Sequence, residues 1–171
     1  EVFRTGYYGG AGARLMRTFE SVKGSTQPDP PVGENFVREC QWEPSVELKI
    51  PKDWLSGVYL GKMTAKDSGI QSYVIFIVRD DRPCDLLFQC SDLTWSAYNR
   101  WPADYSIYTE HKDWKSIGAP SGMVSFDRPY GLFTHPVNKI KTSGGSGEYL
   151  PWEFPMSYWL EQHGEDVSYI S

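Results

Sequence analysis

No run of apolar residues approaches the roughly 20 that a membrane-spanning helix needs. No basic stripe is present either, and the formal net charge is −5 at pH 7. That balance excludes the broad positive footprint with which proteins neutralise nucleic-acid phosphates, so neither nucleic acid nor membrane is expected as a partner. Cysteine and histidine are scarce, with three of each, and neither shows the close ligand spacing of a zinc site. Cys40, Cys84 and Cys90 form no CxxC pair, and an odd count reads as reduced thiols, the state kept in the cytoplasm. Reach argues against a Cys84–Cys90 bridge: six residues of strand advance roughly 20 Å, against at most about 7 Å between bridged Cα atoms. There is no GxSxG elbow for a serine hydrolase and no internal repeat. GYYGGAGAR, residues 6–14, lacks the GK[ST] ending of a phosphate loop. The segment after it reads as strand, so no helix N-terminus would face an anion; hairpin glycines are the expectation.

The first half of the chain is sheet-like. EVFR and the segment around Ala13 and Leu15 predict two strands across the glycine turn, and residues 23–35 form a proline-rich loop. CQWEPSVELKI, WLSGVYLGKMT and SYVIFIVRD are three β-rich runs, with Val58, Leu60 and Lys62 and then Val74 and Phe76 at the period of two. Their spacing predicts an Ig-like antiparallel β-sandwich over residues 1–83. DLLFQC, residues 85–90, is a continuous apolar run, as in a parallel strand buried on both faces. GMVSFDRPYG predicts a short strand leaving into a turn, and KTSGGSGEYL a flexible loop. PWEFPMSYWLEQHG predicts a helix with Met156, Trp159, Leu160 and His163 on one face, Pro155 near its first turn and Gly164 at its end. DVSYIS comes next as another strand, parallel to DLLFQC. Strand, long loop, helix and strand open an α/β unit, so residues 84–171 are expected to be the N-terminal part of an α/β domain. The chain opens within one expected strand and stops on another, and is expected to be a piece of a longer polypeptide.

Aromatic residues make up 15 % of the chain, and they concentrate in TWSAYNRWPADYSIYTEHKDW, residues 94–114. So mixed a run of rings, amides, acids and a proline predicts neither regular strand nor regular helix. It lies just after the C-terminal end of DLLFQC, where α/β sheets place their binding crevices. Tyr98, Asn99, Tyr105, Tyr108, Glu110 and His111 offer convergent polar groups among Trp95, Trp101 and Trp114, which describes a small-molecule pocket. A joining loop whose rings simply pack fits the same residues. Arg128 either orients a carboxylate or braces Asp104, Asp113 or Glu110. Cys90 is a conceivable nucleophile with His111, His135 or His163, or else a small buried thiol.

Five motifs in order carry a resemblance: GYYGGAGARL, WLSGVYL, TWSAYNRW with SIY after it, SFDRPYG, and FPMSYWLEQHGEDVSYIS. They resemble the C-terminal region of the large (beta) subunit of N,N-dimethylformamidase and its relatives, over nearly the whole chain. The resemblance implies a β-sandwich followed by the beginning of a glutamine-amidotransferase-like α/β domain. It implies part of an amidohydrolase with a mononuclear ferric iron held by two tyrosines and a glutamate. Phenolate and carboxylate are hard anionic donors, suited to a hard cation. Carried onto this sequence, the ligands are Tyr98 of AYN and Tyr108 of SIY, with Tyr130 of RPY as the competitor. The glutamate belongs to a later H-x-E-Y-W motif beyond this chain, so Glu161 is not its counterpart. Asn99 and His111 are the candidates for a catalytic part. The implied partners are the remainder of the polypeptide or other chains, including a small partner subunit. Two further readings of the residues stand beside this one: a non-catalytic carbohydrate- or ligand-binding module, and a structural sandwich segment of a larger protein.

Overall fold

The computed structural model describes residues 1–34, 37–102, 123–131 and 144–171. Strands β1 (Val2–Thr5), β2 (Ala13–Arg17), β3 (Gly57–Thr64) and β4 (Gln71–Val78) form one antiparallel sheet in the order β2-β1-β3-β4. The glycine-rich segment is the turn of the β1–β2 hairpin, with Thr5 opposite Ala13. Along β3 and β4 the register pairs Val58 with Ile77, Tyr59 with Phe76 and Leu60 with Ile75. Side chains alternate across a strand, so the aliphatic pairs share one face and the aromatic pair the other. On that second face Tyr59 is fully buried, with Trp54 stacked on it at 5.0 Å and Phe76 at 5.4 Å.

Two expectations for this half are corrected. CQWEPSVELKI forms no strand. The alternation of Val46, Leu48 and Ile50 is real, but the central strands β1 and β3 are already paired on both sides. Pro44 and Pro51 also remove backbone donors around the run. A sandwich is not seen among the described residues, whose antiparallel strands make a single sheet. The Val58 face of that sheet packs instead on helix and parallel strand.

Those elements are β5 (Leu86–Gln89), helix α1 (Asp92–Tyr98), helix α2 (Phe154–Gln162) and β6 (Val167–Ile170). β5 and β6 pair in parallel from Leu86↔Val167 to Gln89↔Ile170, as the strand, helix and strand pattern predicts. DLLFQC, however, is not buried on both faces: Leu86 and Leu87 are exposed, because β6 is its one partner strand among the described residues. The described part of GMVSFDRPYG, residues 123–131, forms no strand but a turn, closed by the Arg128 amide donating to the Phe126 carbonyl at 2.7 Å. The described part of KTSGGSGEYL is held rather than loose. The Tyr73 amide donates to Gly144 and the Gly145 amide to Tyr130, both at 2.9 Å. Gly145 takes φ +92, and a Cβ there would lie 1.7 Å from the Tyr73 carbonyl oxygen, so only glycine fits.

Helix α2 begins with Pro155 in its first turn. It ends at Gly164, whose φ of +77 lets the Glu165 amide turn back onto the Leu160 carbonyl at 3.1 Å. Ser157 and Leu160 are buried, whereas Met156 and Trp159 face outward, with the Trp159 and His163 rings 4.5 Å apart. The Ser157 hydroxyl sits inward at no cost because the Tyr149 hydroxyl is 2.8 Å away, and Thr5 Oγ1 lies 2.8 Å beyond that. One apolar cluster, Val58, Cys90, Trp95, Tyr149, Leu160, Val167 and Tyr169, joins sheet, helices and parallel pair. All three cysteines are free and Cys90 is buried.

A polar joint runs beside that cluster. Arg4 of β1 donates to the Ser56 carbonyl at 2.7 Å and to the Tyr8 hydroxyl at 2.9 Å. Its guanidinium also pairs with Glu161 of α2 at 2.8 Å, where Arg4 is 8 % and Glu161 17 % exposed in side chain. The Glu161 carboxylate further accepts the Tyr7 amide and the Tyr169 hydroxyl, each at 3.1 Å. The Ser56 hydroxyl receives the Tyr169 amide at 2.8 Å. Removing one member of a buried ion pair strands its partner, which costs about 3–5 kcal/mol. Glu161→Ala should therefore destabilise the fold by about that much in urea unfolding, and Glu161→Gln, which keeps an acceptor for Arg4, by clearly less. Equal losses for the two variants would show that packing, not charge pairing, holds the joint.

Candidate functional site

The first part of the aromatic stretch is helix, against the expectation of no regular structure. A single short helix is marginal by itself, and a distant residue supplies the support. The Glu153 carboxylate accepts the Trp95 indole N–H at 2.8 Å and the Ser91 amide at 3.2 Å, fixing the start of α1 while the Trp95 ring enters the core. Asp92 adds negative charge to the first turn, where the helix dipole favours it. Burial pushes the Glu153 carboxyl up, against the pull of these hydrogen bonds. Asn99, in extended conformation, ends the helix.

Tyr98 is the last residue of α1 and is 52 % exposed. Asn99 beside it is buried. Its Oδ1 accepts the amides of Trp101 and Gly131 at 3.2 Å each, and its Nδ2 donates to the Pro129 carbonyl at 3.0 Å. These bonds clasp the residues on either side of Tyr130. The Tyr130 ring meets Trp95 edge-on at 6.4 Å. Burial pushes its phenol up to about 12, with Asp92 adding to the push and Arg128 opposing it. The structure thus joins Asn99 to the Tyr130 turn. Tyr108 and His111, and with them Tyr105, Glu110 and Trp114, lie outside the described residues.

Arg128 is buried and donates to main-chain carbonyls: Ser96 and Trp101 at 3.0 Å, Ser125 at 3.1 Å and Asn99 at 3.3 Å. Burial lowers its pKa, while Tyr130 and Cys40 favour the charged form. A third segment closes on the same place. The Cys40 amide donates to the Asp127 carbonyl at 2.7 Å, and Trp42 meets Trp101 edge-on at 5.8 Å. Trp42 is itself held by its indole N–H on the Pro28 carbonyl at 3.1 Å. No local signal marks Trp42 or Glu153 as belonging here, since their partners are 59 and 58 residues away (101 − 42 and 153 − 95). Cys90 has its thiol pushed up to about 12, chiefly by burial and then by Glu153 and Asp92, and is a packed neutral thiol at neutral pH.

Asn99 and Arg128 thus fasten the Tyr130 turn to the chain on both sides of Tyr98, with Trp42 and Trp101 in edge contact beside them. Among the described residues no group of three or more His, Cys, Asp or Glu could hold a metal ion. No helix among the described residues is long and apolar enough to cross a membrane. A family model described as N,N-dimethylformamidase beta subunit-like, C-terminal, matches residues 1–171. No curated protein matches the chain.

The phenols divide by burial, and the division has a pH signature. Tyr59 and Tyr130 are each raised to about 12, while an unfolded tyrosine ionises near 10. A group raised in the folded state contributes stability that is complete below the unfolded value and lost as pH rises through the folded one. Conformational stability should therefore fall between pH about 10 and about 12, and Tyr130→Phe should flatten that fall. Absorbance at 295 nm should show exposed tyrosines ionising first and the buried set only as the fold opens. A single ionisation step near 10 for all tyrosines would contradict the burial.

Proposed function

The chain belongs to the N,N-dimethylformamidase beta subunit-like, C-terminal family, and from that membership we propose that it is part of an amidohydrolase of the dimethylformamidase type. Such an enzyme splits the C–N bond of a small linear amide with water. The match of the family over residues 1–171 is the observation that carries this reading. The remainder of the active unit comes from a longer polypeptide or from other chains, a small partner subunit among them.

The proposed centre is an iron site to which Tyr98 contributes one phenolate and Tyr108 a second, with a glutamate from outside this chain. Tyr98 fits a hard cation: its oxygen is an anionic donor once deprotonated, and the residue is 52 % exposed. Tyr130 fits less well, because burial against Trp95 keeps its phenol neutral, and this supports Tyr108 as the second ligand. Ferric iron, when bound, supplies Lewis acidity toward an amide carbonyl and water. The residues of this chain do the rest of what is proposed for it. Tyr98 presents its phenol from the end of α1, and Asn99 holds the turn after it.

In the complete protein, Tyr98→Phe should abolish iron content, the visible phenolate-to-iron absorption and amide hydrolysis together. Tyr130→Phe should leave all three in place at a stability cost of about 1 kcal/mol. Iron content unchanged by Tyr98→Phe would remove Tyr98 from the site. Absorption lost with Tyr130→Phe and kept with Tyr108→Phe would move the second ligand to Tyr130.

A further inference from the structure

We infer that the outer edge of β5 is a strand-addition site, where an apolar strand of the same polypeptide, from outside residues 1–171, pairs in parallel. The source of that strand rests on the reading above that this chain is part of a longer polypeptide; the open edge itself does not. The Leu86 amide donates to the Asp166 carbonyl at 3.0 Å, and the Cys90 amide to that of Ile170 at 2.8 Å. Alternate residues of a strand bond to alternate sides, so the amides and carbonyls of Leu87 and Gln89 face away from β6. They have no hydrogen-bond partner among the described residues.

The other three sheet edges among the described residues are guarded. Strand β2 carries exposed Arg14 and Arg17, charges of the kind with which edge strands resist pairing. At the edge of β4 the Tyr73 amide donates to the Gly144 carbonyl. The outward groups of β6 are closed by side chains. The Ser56 hydroxyl accepts the Tyr169 amide at 2.8 Å and donates to the Tyr169 carbonyl at 3.3 Å, and Arg82 Nη2 donates to the Val167 carbonyl at 2.9 Å. The parallel pair can therefore grow only on the β5 side. There the sequence LLFQ offers neither charge nor proline. Leu86 and Leu87 are both exposed and point to opposite faces, so the added strand extends a sheet whose two faces both call for apolar cover. Four residues of strand make an edge roughly 13 Å long, which offers little of the about 1,200–2,000 Å² that stable association of separate chains buries. A tethered strand needs no such area, because its effective concentration is high; this favours the same polypeptide over a second copy.

The test uses the complete protein, read by amide hydrogen exchange and by a photo-crosslinker at the exposed Gln89 (Gln89→p-benzoylphenylalanine). With the strand in place, the Leu87 and Gln89 amides should exchange within about tenfold of those of Leu86 and Cys90, which bond β6. The crosslink should form within one chain, to a peptide outside residues 1–171. The exchange measurement needs no substitution, so it stands if the crosslinker variant fails to fold. Leu87 and Gln89 amides that exchange like unstructured chain, while Leu86 and Cys90 stay protected, overturn the inference. A crosslink only to residues 1–171, to a second copy or to a small partner subunit overturns it as well, since another occupant would then hold the edge. A complete protein with neither iron nor amide hydrolysis sinks the proposed function instead, and the two readouts still decide what pairs with β5.

Discussion

The fold turns on a guanidinium that has been taken out of water. Arg4 sits on the central part of the sheet and is nearly inaccessible. Its charge is tolerable only because the Ser56 carbonyl, the Tyr8 hydroxyl and the Glu161 carboxylate receive it. The pairing raises its affinity for its proton despite the burial. An apolar helix face can settle on a sheet in several rotations of similar energy, whereas a carboxylate that must meet a fork of N–H groups has one. The angle and register of α2 are set by Glu161, and Ser157 then falls against Tyr149 and Thr5. The same joint sets β6, because Tyr169 gives its hydroxyl to Glu161 and its amide to Ser56. Buried polar networks of this kind select one packing when every member is satisfied.

The elements legible in the sequence are those whose causes, unlike that joint, are local. The glycine hairpin, the alternation of β3 and β4, and the Pro155 and Gly164 boundaries of α2 each depend on a few neighbouring residues. The parallel pairing of β5 and β6 is legible for a related reason, since a helix between two apolar runs leaves little other topology. Helix α1 is not legible, because its start is fixed by Glu153 from a distant turn. Val46, Leu48 and Ile50 alternate as well as any strand, but Pro44 and Pro51 bracket them and remove backbone donors. The orientation of α2 is hidden because Ser157 and Leu160 turn inward while Met156 and Trp159 turn out. A period of 3.6 cannot rank two faces that both carry apolar residues.

The candidate site shows the same limit in chemical form. AYN and RPY read alike in the sequence, each placing a tyrosine beside a polar or turn-forming residue. Burial separates them: Tyr98 is 52 % exposed at a helix end, and Tyr130 lies against Trp95 with its phenol raised to about 12. Burial beside Trp95 favours the neutral phenol of Tyr130, a difference in environment that residue type does not show. Asn99 resolves similarly. Its carboxamide could have faced a substrate, yet three main-chain partners around Tyr130 engage it, and the motif that contains it works as a clasp.

Both clasp and joint use charged or amide side chains against main-chain carbonyls and amides, and the reason lies in what they connect. Regular strands and helices satisfy their own backbone groups, but the last turn of α1, residues 99–101 and residues 123–131 leave carbonyls without partners of that kind. A buried unpaired backbone group costs roughly as much as a lost hydrogen bond. A guanidinium that satisfies several of them at once removes that cost and ties two turns together in the same act. Trp42 adds an apolar wall from a third segment, edge-on to Trp101, without needing a hydrogen bond across the gap. Irregular chain on both sides of Tyr98 is thereby given a fixed shape by contacts that come from residues 42 and 128.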